Sequence, residues 1–211
     1  SNKIVMIIMS SEITMKKKED KERKALEARR QLFHAITGIL IVLLLYLEIM
    51  PIWLFFIIMI TGIMIYNAWE KEANPIFAWF FNHFERKNER EGTGALWYAI
   101  GCFITALIFE KNTALAAILI LALGDSVSHW VGRFYGKISH PLNKKKNVEG
   151  TIAGIIAAFA AAVFFVSNLP AFIASVVVMN LEVFDVKMFG TRIDDNLWIP
   201  IVAGIVITLL V

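Results

Sequence analysis

The sequence predicts an all-α, polytopic integral membrane protein with about seven transmembrane helices and a cytoplasmic N-terminus. The 211-residue chain is 58% hydrophobic and its mean hydropathy is +0.65, whereas soluble domains are usually about 45–50% apolar. Its net charge is only +3, and the charges lie between long apolar runs. A single cysteine, Cys102, lies inside one such run, which excludes a disulfide framework and a thiolate metal cluster.

Seven apolar segments are candidates for spanning helices. They are approximately Leu32–Leu47, Ile52–Trp69, Ala95–Phe109, Thr113–His129, Thr151–Val166, Ala171–Val183 and Leu197–Val211. Several are shorter than the roughly 20 residues that an untilted span prefers, which indicates a thinned bilayer or helix ends shielded by neighbours. The apolar piece Ile4–Met9 is too short to span a bilayer, and we expect no cleavable signal peptide there.

Basic residues predict which ends of the segments face the cytoplasm. With seven spans, almost all of them fall on one face, and the loops of the opposite face carry only Lys111. By the positive-inside rule the basic face is cytoplasmic and the C-terminus lies outside. The basic residues of the cytoplasmic face are Lys16, Lys17, Lys18, Lys21, Arg23, Lys24, Arg29, Arg30, Lys71, Arg86, Lys87, Arg90, Arg133, Lys137, Lys144, Lys145, Lys146, Lys187 and Arg192.

Two segments outside the spans have patterns of their own. Residues 1–31 form a basic arm ahead of the membrane domain, residues 32–211. Lys16–Arg30 mixes charges at a helical spacing, which predicts that it extends the first helix into the cytoplasm. A solvated helix that attracts anionic lipid explains this arm better than a nucleic-acid role, so we expect no nucleic-acid partner. Asn74–Phe84 is rich in Phe and Trp, which predicts an interfacial helix, either a plain anchor or a guide for a lipid substrate.

The most informative stretch runs from Gly124 to Gly154 and includes a cytoplasmic loop at about residues 130–150. Asp125 ends an apolar span, where it can ligate Mg²⁺, accept a proton from an alcohol, or simply pair with a lysine. In the loop that follows, glycines allow close approach of phosphate, and Arg133 can hold two phosphate oxygens. The spacing matches neither a Walker A loop nor a dinucleotide-binding fingerprint.

Other charged residues are predicted at the same membrane depth. Glu149 opens the fifth span, either as a plain cap or as a carboxylate that holds a metal. Lys146 is a topology signal or a phosphate ligand. Glu182 ends the sixth span, Asp194–Asn196 opens the seventh as an N-cap cluster, and Glu27–His34 opens the first. We expect these carboxylates and bases to converge at one interface, as a site for two substrates requires.

In these residues the chain resembles the polyprenol kinase family, which includes dolichol kinase, phytol kinase and the CTP-dependent diacylglycerol kinase of fungi. The family pattern is roughly GDxxAxxxGRxxGK followed by KSxEGSxAG, with an ExxRKxxH-like entry to an early span and an acidic residue before a DNxxxP segment. The matching residues are Gly124, Asp125, Gly132, Arg133, Gly136, Lys137, Lys146, Glu149, Gly150, Thr151, Ala153, Gly154, Glu27, Arg30, His34, Glu182, Asp195, Asn196 and Pro200. Ser128 stands where Ala is usual, and Asn147 where Ser is usual.

The resemblance implies a kinase that transfers the γ-phosphate of a nucleoside triphosphate, usually CTP, to a lipid alcohol at the cytoplasmic face. Such transfer mainly needs positioning and charge neutralisation, so Mg²⁺ or another divalent cation is also implied. The residues implied for catalysis are Asp125, Glu149 and His34, and those for the metal are Asp125, Glu149, Glu182 and Asp195. Those implied for the nucleotide are Gly124, Ser128, Gly132, Arg133, Gly136, Lys137, Lys145, Lys146, Gly150, Thr151 and Asn196.

Three other functions remain open. A CTP-dependent cytidylyltransferase uses the same kinds of substrate but releases pyrophosphate instead of CDP. A membrane transporter fits less well, because the charges cluster at one face and no internal repeat is visible. A non-catalytic lipid-binding or scaffold protein would tolerate the loss of Asp125.

Other properties follow only in outline. The sequence identifies neither the lipid alcohol nor a residue that reads the nucleobase, and it leaves the oligomeric state open, a homo-oligomer included. Few cysteines together with many isoleucines and lysines suit a heat-adapted prokaryote. The expected location is therefore a prokaryotic cell membrane.

Overall fold

A computed structural model describes residues 2–68, 93–184, 187–188 and 191–211. Within these residues the chain forms seven helices, one at each predicted apolar segment, so the helical class is confirmed. They are α1 (Asn2–Tyr46), α2 (Ile52–Ala68), α3 (Thr93–Ile108), α4 (Lys111–Tyr135), α5 (Val148–Ala162), α6 (Asn168–Leu181) and α7 (Asp195–Thr208). The predicted interfacial helix Asn74–Phe84 lies outside the described residues.

Two short antiparallel hairpins join helices at one end of the bundle. In the first, β1 (Ser139–His140) pairs with β2 (Asn143–Asn147) between α4 and α5. In the second, β3 (Lys187–Met188) pairs with β4 (Thr191–Arg192) between α6 and α7. The first hairpin therefore follows the helix that carries Asp125, and the second follows Glu182 at the end of α6.

Helix α1 continues without a break from the basic arm into the first apolar segment, as the sequence predicts. Its polar half carries a salt bridge between Lys24 and Asp20 at 2.9 Å, a helical i,i+4 pair. Its apolar half exposes large side chains, among them Leu32, Ile36, Ile39, Leu40 and Leu43. The helix ends before Glu48, whose positive φ of 59° forms the turn into α2.

Helix α4 is the central helix, since it packs against α1, α3, α5 and α7. Its apolar residues from Ala114 to Ala122 are buried. A wider, π-helical turn covers Ile120–Asp125. Such turns are rare in proteins, and many of those that do occur lie at functional sites. This one changes the angle at which the Asp125 side chain leaves the helix relative to the residues before it.

Glycines bring α4 and α5 close together. A Cβ atom added to Gly150 would lie 2.6 Å from the carbonyl oxygen of Ser128, and one added to Gly154 would lie 2.8 Å from the Ser128 Cβ. Because no larger residue fits without a shift, the two helices cross at a distance that only glycine permits. The predicted loop motif therefore begins and ends on two tightly packed helices.

Two of the helical stretches, Thr14–Tyr46 and Lys111–Tyr135, are long and apolar enough to cross a membrane. Five further apolar helices within the described residues have 10–17 residues each. The expectation of an apolar, helical chain with segments long enough to span a membrane is thus met. The seven-span topology stays a prediction.

Candidate active site

Three ionisable side chains meet inside the helical bundle, toward the end that carries the two hairpins. Asp125 and His129 lie one turn apart on α4, and Glu182 directly follows α6. The His129 Nε2 atom is 3.3 Å from Asp125 Oδ1 and 3.5 Å from Glu182 Oε1. Asp125 is only 6% exposed and Glu182 only 5%. We call Asp125, His129 and Glu182 the carboxylate–histidine cluster.

Lys146 on β2 supplies a cation to this cluster. Its Nζ atom contacts Glu182 Oε1. Burial by itself lowers the pKa of Lys146, but Glu182 first and Asp125 second outweigh that effect and raise it. The side chain therefore stays an ammonium at neutral pH, and it compensates part of the negative charge of the two carboxylates.

Two asparagine side chains hold the Lys146 hairpin against the helices. The Asn143 Nδ2 atom donates to the carbonyl oxygen of Val183 at 2.8 Å, which ties β2 to the chain after α6. The Asn147 Nδ2 atom donates to the carbonyl oxygen of Gly132 at 2.8 Å, which ties it to α4. These bonds fix the position from which Lys146 reaches the cluster.

His34 approaches the cluster from α1. Its Nε2 atom is 3.9 Å from Asp125 Oδ2. The ring packs on Tyr98 of α3 with a centroid separation of 4.2 Å, and the Tyr98 hydroxyl donates to the His34 carbonyl oxygen at 3.3 Å. The side chain of Tyr98 therefore orients His34 toward Asp125.

Arg30 lies one turn before His34 and binds Glu27. The Arg30 guanidinium donates to Glu27 Oε1 at 2.7 Å, and Gln31 Nε2 donates to the same oxygen at 2.8 Å. The predicted entry motif of the first span is thus organised around Glu27. One turn further along α1, His34 lies 3.9 Å from Asp125, so the motif also reaches the cluster.

Several buried polar atoms around the cluster have no hydrogen-bond partner. Among the described residues they include Asp125 Oδ1, His34 Nε2 and Arg30 Nε. An unsatisfied buried polar group typically costs about 1–3 kcal/mol, and such groups are rare in native proteins. Their presence around one carboxylate indicates a place where a polar or charged ligand binds.

Glu149 lies apart from this cluster. Its carboxylate accepts hydrogen bonds from the backbone N–H groups of Lys137 and Ile138 at 3.0 and 3.1 Å. The pKa of Glu149 is lowered chiefly by its own backbone N–H, which together with those of Lys137 and Ile138 outweighs the opposing effect of desolvation. The structure thus assigns this carboxylate to shaping the chain after α4. It does not bring Glu149 into the group formed by Asp125, as the expected metal site would require.

The exposed cations expected to bind phosphate lie on the chain around the cluster. Arg133, Lys137 and Lys145 are all exposed. Arg133 makes an ion pair with Asp20 of α1 at 3.4 Å. Asp195 begins α7, and its carboxylate helps to raise the pKa of Lys146.

The other residues expected at the nucleotide have packing partners in this structure. Gly124, Gly132, Gly150 and Ser128 form the close contact of α4 with α5, and Gly136 abuts the Asn147 side chain. The Thr151 hydroxyl donates to the Asn147 carbonyl oxygen at 3.4 Å. The Asn196 amide donates to the Gly94 carbonyl oxygen at 3.5 Å. These contacts place the motif residues beside the cluster without showing any of them to bind a nucleotide.

Sequence reasoning missed His129. It lies four residues after Asp125, the spacing that brings two side chains to one face of a helix, so an Asp-x-x-x-His pattern was the available signal. The third residue of the cluster, Glu182, belongs to another part of the chain. Only the folded arrangement of α4 and α6 reveals that one imidazole contacts both carboxylates.

Comparisons with known proteins identify the class. No protein-family model and no solved structure match the chain. Uncharacterized protein MJ1137 of Methanocaldococcus jannaschii is 31% identical over 186 residues, 86% of this chain and 92% of that protein. CTP-dependent diacylglycerol kinase 1 of Eremothecium gossypii is 28% identical over 88 residues, 41% of this chain and 28% of that one. Probable phytol kinase 2, chloroplastic, of Oryza sativa is 29% identical over 126 residues, 54% of this chain and 41% of that one.

The chain belongs to the same family as MJ1137, and it is homologous over part of its length to lipid-alcohol kinases, namely CTP-dependent diacylglycerol kinases, phytol kinases and a farnesol kinase. The resemblance seen in the sequence is thereby confirmed, and the relatives named as kinases are phosphotransferases with alcohol acceptors. The chain spans 28% and 41% of the length of the two named kinases above.

Proposed function

We propose that this protein is a membrane-bound kinase that transfers the γ-phosphate of CTP to the hydroxyl of a lipid alcohol at the cytoplasmic face. The observation that carries this proposal is the buried carboxylate–histidine cluster, because two of its members, Asp125 and Glu182, belong to the pattern in which the sequence resembles the kinase family. A deeply buried aspartate with an unsatisfied oxygen is costly unless a ligand uses it. A metal-bound triphosphate is a ligand of suitable charge.

The residues of the cluster fit a divalent cation. Asp125 Oδ1 is buried and lacks a hydrogen-bond partner, and carboxylate oxygens are the donors that such cations take. Asp125 and Glu182 would hold the ion, which would neutralise charge on the triphosphate. Glu149 and Asp195 are the weaker candidates, because Glu149 binds backbone N–H groups instead.

Cationic side chains would bind the phosphate oxygens. Lys146 is the innermost of them and already carries its charge beside Glu182. Arg133 and Lys137 are exposed, and on the proposed cytoplasmic face a soluble nucleotide could reach them. Arg133 offers two parallel donors to one phosphate, and Lys137 acts as a point charge.

His34 would orient the acceptor alcohol. In the transfer, the alcohol oxygen forms a bond to the γ-phosphorus while the bond from that phosphorus to the bridging oxygen breaks, and CDP leaves. The hydroxyl proton passes to His34 Nε2, which is buried without a hydrogen-bond partner and lies 3.9 Å from Asp125. Phosphoryl transfer depends on positioning and electrostatics. The packing of His34 on Tyr98 would therefore contribute directly to catalysis, because it holds the imidazole in place.

The exposed surface supports a membrane location. Large apolar side chains are exposed along α1 and α2, among them Leu40, Leu43, Trp53, Phe56 and Ile57, and extensive exposed apolar surface is a mark of membrane contact. The exposed basic residues near β2 lie close to the end of α4 that is nearer to the cluster. The other end of the helix begins at Lys111, about 21 Å along the helix axis from Asp125. The positive-inside rule then favours a cytoplasmic site.

The test is phosphate transfer by the purified full chain in lipid nanodiscs. It is incubated with CTP labelled in either the γ- or the α-phosphate and with phytol, farnesol, a polyprenol or diacylglycerol. The proposal expects γ-label in one lipid, lost in Asp125→Asn and retained in Glu48→Gln, a matched change at the far end of the bundle. Label from the α-phosphate would instead indicate a cytidylyltransferase. Lipid left unlabelled by both would contradict both enzyme activities.

A further inference from the structure

We propose that Asp125, His129 and Glu182 form a mixed nitrogen and oxygen site for a divalent transition-metal ion, in which His129 sets a preference for such an ion over Mg²⁺. Metal binding itself does not depend on the proposed kinase activity. The role of the ion in phosphate transfer does rest on that activity.

The spacing of the donor atoms suits one ion. The three ligand atoms all lie within 4.8 Å of one another, and His129 Nε2 is 3.3 and 3.5 Å from the two carboxylate oxygens. Ligand atoms about 2.0–2.2 Å from a shared ion are about 3.0–3.5 Å apart. The two distances that involve the imidazole therefore already match a coordinated geometry.

An unsatisfied oxygen points to a cation. Asp125 Oδ1 lies 3.3 Å from His129 Nε2, but the two atoms do not make a well-aligned hydrogen bond, and Asp125 is only 6% exposed. A buried carboxylate oxygen without a well-formed hydrogen bond is rare in native proteins. A metal ion between the imidazole and the carboxylate would satisfy both groups at once.

The imidazole changes which ion the site prefers. Mg²⁺ demands nearly octahedral oxygen ligands and retains several waters. A nitrogen ligand suits ions such as Zn²⁺ and Co²⁺, which also lie above Mn²⁺ in the general order of affinity. A site made only of carboxylates would favour Mg²⁺, so His129 is the residue that decides between the two classes.

Lys146 must respond when an ion enters. It contacts the same Glu182 oxygen that faces His129, and an ammonium and a metal ion repel each other at that distance. Lys146 would therefore have to leave Glu182 for an ion to bind there, and its ammonium would then be free to bind a phosphate oxygen of a nucleotide.

The experiment is a titration of the metal-free full chain in detergent with Co²⁺, followed by the visible absorption of the bound ion, with Mg²⁺ as competitor. In the wild type we expect Co²⁺ absorption that an equal concentration of Mg²⁺ does not remove. In His129→Asp we expect the affinity for Co²⁺ to fall by at least about tenfold, within the range that loss of a supporting group causes at metal sites, and Mg²⁺ to compete. Asp125→Asn should abolish the signal.

The controls separate the two proposals. His140→Gln removes a buried histidine outside the cluster, whose Nδ1 accepts a hydrogen bond from the Leu142 backbone, and it should leave the titration unchanged. His129→Gln, checked for folding by circular dichroism, serves if His129→Asp does not fold. Unchanged Co²⁺ affinity in the folded His129 variants, or no Co²⁺ binding by the wild type, overturns the metal site whatever the kinase assay gives. Co²⁺ binding without lipid phosphorylation would uphold the site and contradict the kinase.

Discussion

The Lys146 ammonium contacts the Glu182 carboxylate within the protein interior. The contact ties the β1–β2 hairpin to the end of α6, two parts of the chain that are far apart in sequence. Removing one partner of a buried ion pair typically costs about 3–5 kcal/mol, because it leaves the other charge uncompensated.

Lys146→Met should therefore lower the free energy of unfolding by about 3 kcal/mol, since Glu182 loses its cation. The double variant Lys146→Met with Glu182→Met should recover most of that loss, because well-packed apolar residues often replace a buried pair without penalty. Thermal unfolding in detergent checks both. A double variant as unstable as the single one would show that the pair matters for packing and not for charge.

The stabilising effect of Lys146 should not change between pH 7 and pH 9. The pKa of Lys146 is raised in the folded protein, so its contribution is fully present below the ordinary lysine value of about 10.4 and is lost only as the pH rises through the folded pKa. The measurement is the difference in thermal midpoint between the wild type and Lys146→Met at several pH values. A difference that shrinks below pH 9 would contradict the raised pKa.

Gly150→Ala should destabilise the protein by about 1–3 kcal/mol, the usual effect of overpacking. The added Cβ would lie 2.6 Å from the Ser128 carbonyl oxygen, so α4 and α5 must separate. Gly62→Ala on α2 is the matched control, because nothing lies within 4 Å of its added Cβ. Alanine there should raise stability by about 0.5–1 kcal/mol. Equal effects at the two positions would refute the close crossing of α4 and α5.

Tyr98 should act as a positioning residue for His34. Tyr98→Phe keeps the ring that packs on His34 and removes only the hydrogen bond to its carbonyl oxygen, so we expect a loss of about 1 kcal/mol in stability and nearly normal turnover. Tyr98→Ala removes the ring and should lower kcat more than it changes KM for CTP. The measurement is steady-state kinetics with CTP varied, and equal kcat values in both variants would argue against this role.

Arg133→Lys should raise KM for CTP, since a point charge replaces a guanidinium that can bind two oxygens at once. Asp20, which pairs with Arg133 at the surface, should matter little, because exposed ion pairs are worth about 0.2–1 kcal/mol. Asp20→Asn is therefore the control in the same kinetic assay. Unchanged KM in Arg133→Lys would leave Arg133 as a topology signal.

The sequence sufficed for the helices and for naming Asp125 as a candidate site residue. Long apolar runs between charged stretches mark the helices, because apolar segments of that length must be buried or face lipid. Asp125 was identifiable because an acid at the end of such a run is costly without a use. The continuous helix through the basic arm also followed from the helical spacing of charges in Lys16–Arg30.

Other parts of the site depend on tertiary structure. A glutamate in the first turn of a helix has the same local sequence whether its carboxylate binds a metal or backbone N–H groups. Only the structure shows that the Glu149 carboxylate accepts from the backbone of Lys137 and Ile138. The motif glycines fit phosphate binding and close helix packing equally well until the contact of Gly150 with Ser128 is known. The partnership of His129 with Glu182 requires the relative placement of α4 and α6.

The wider turn at Ile120–Asp125 also sets the direction in which α4 presents Asp125 and His129. If the same residues were wound as an ordinary α-helix, the part of α4 after the turn would rotate by about 100° relative to the part before it. Asp125 and His129 would then turn away from Glu182 together while the helix stayed continuous. The winding of this single turn therefore determines whether side chains of α4 and α6 can meet.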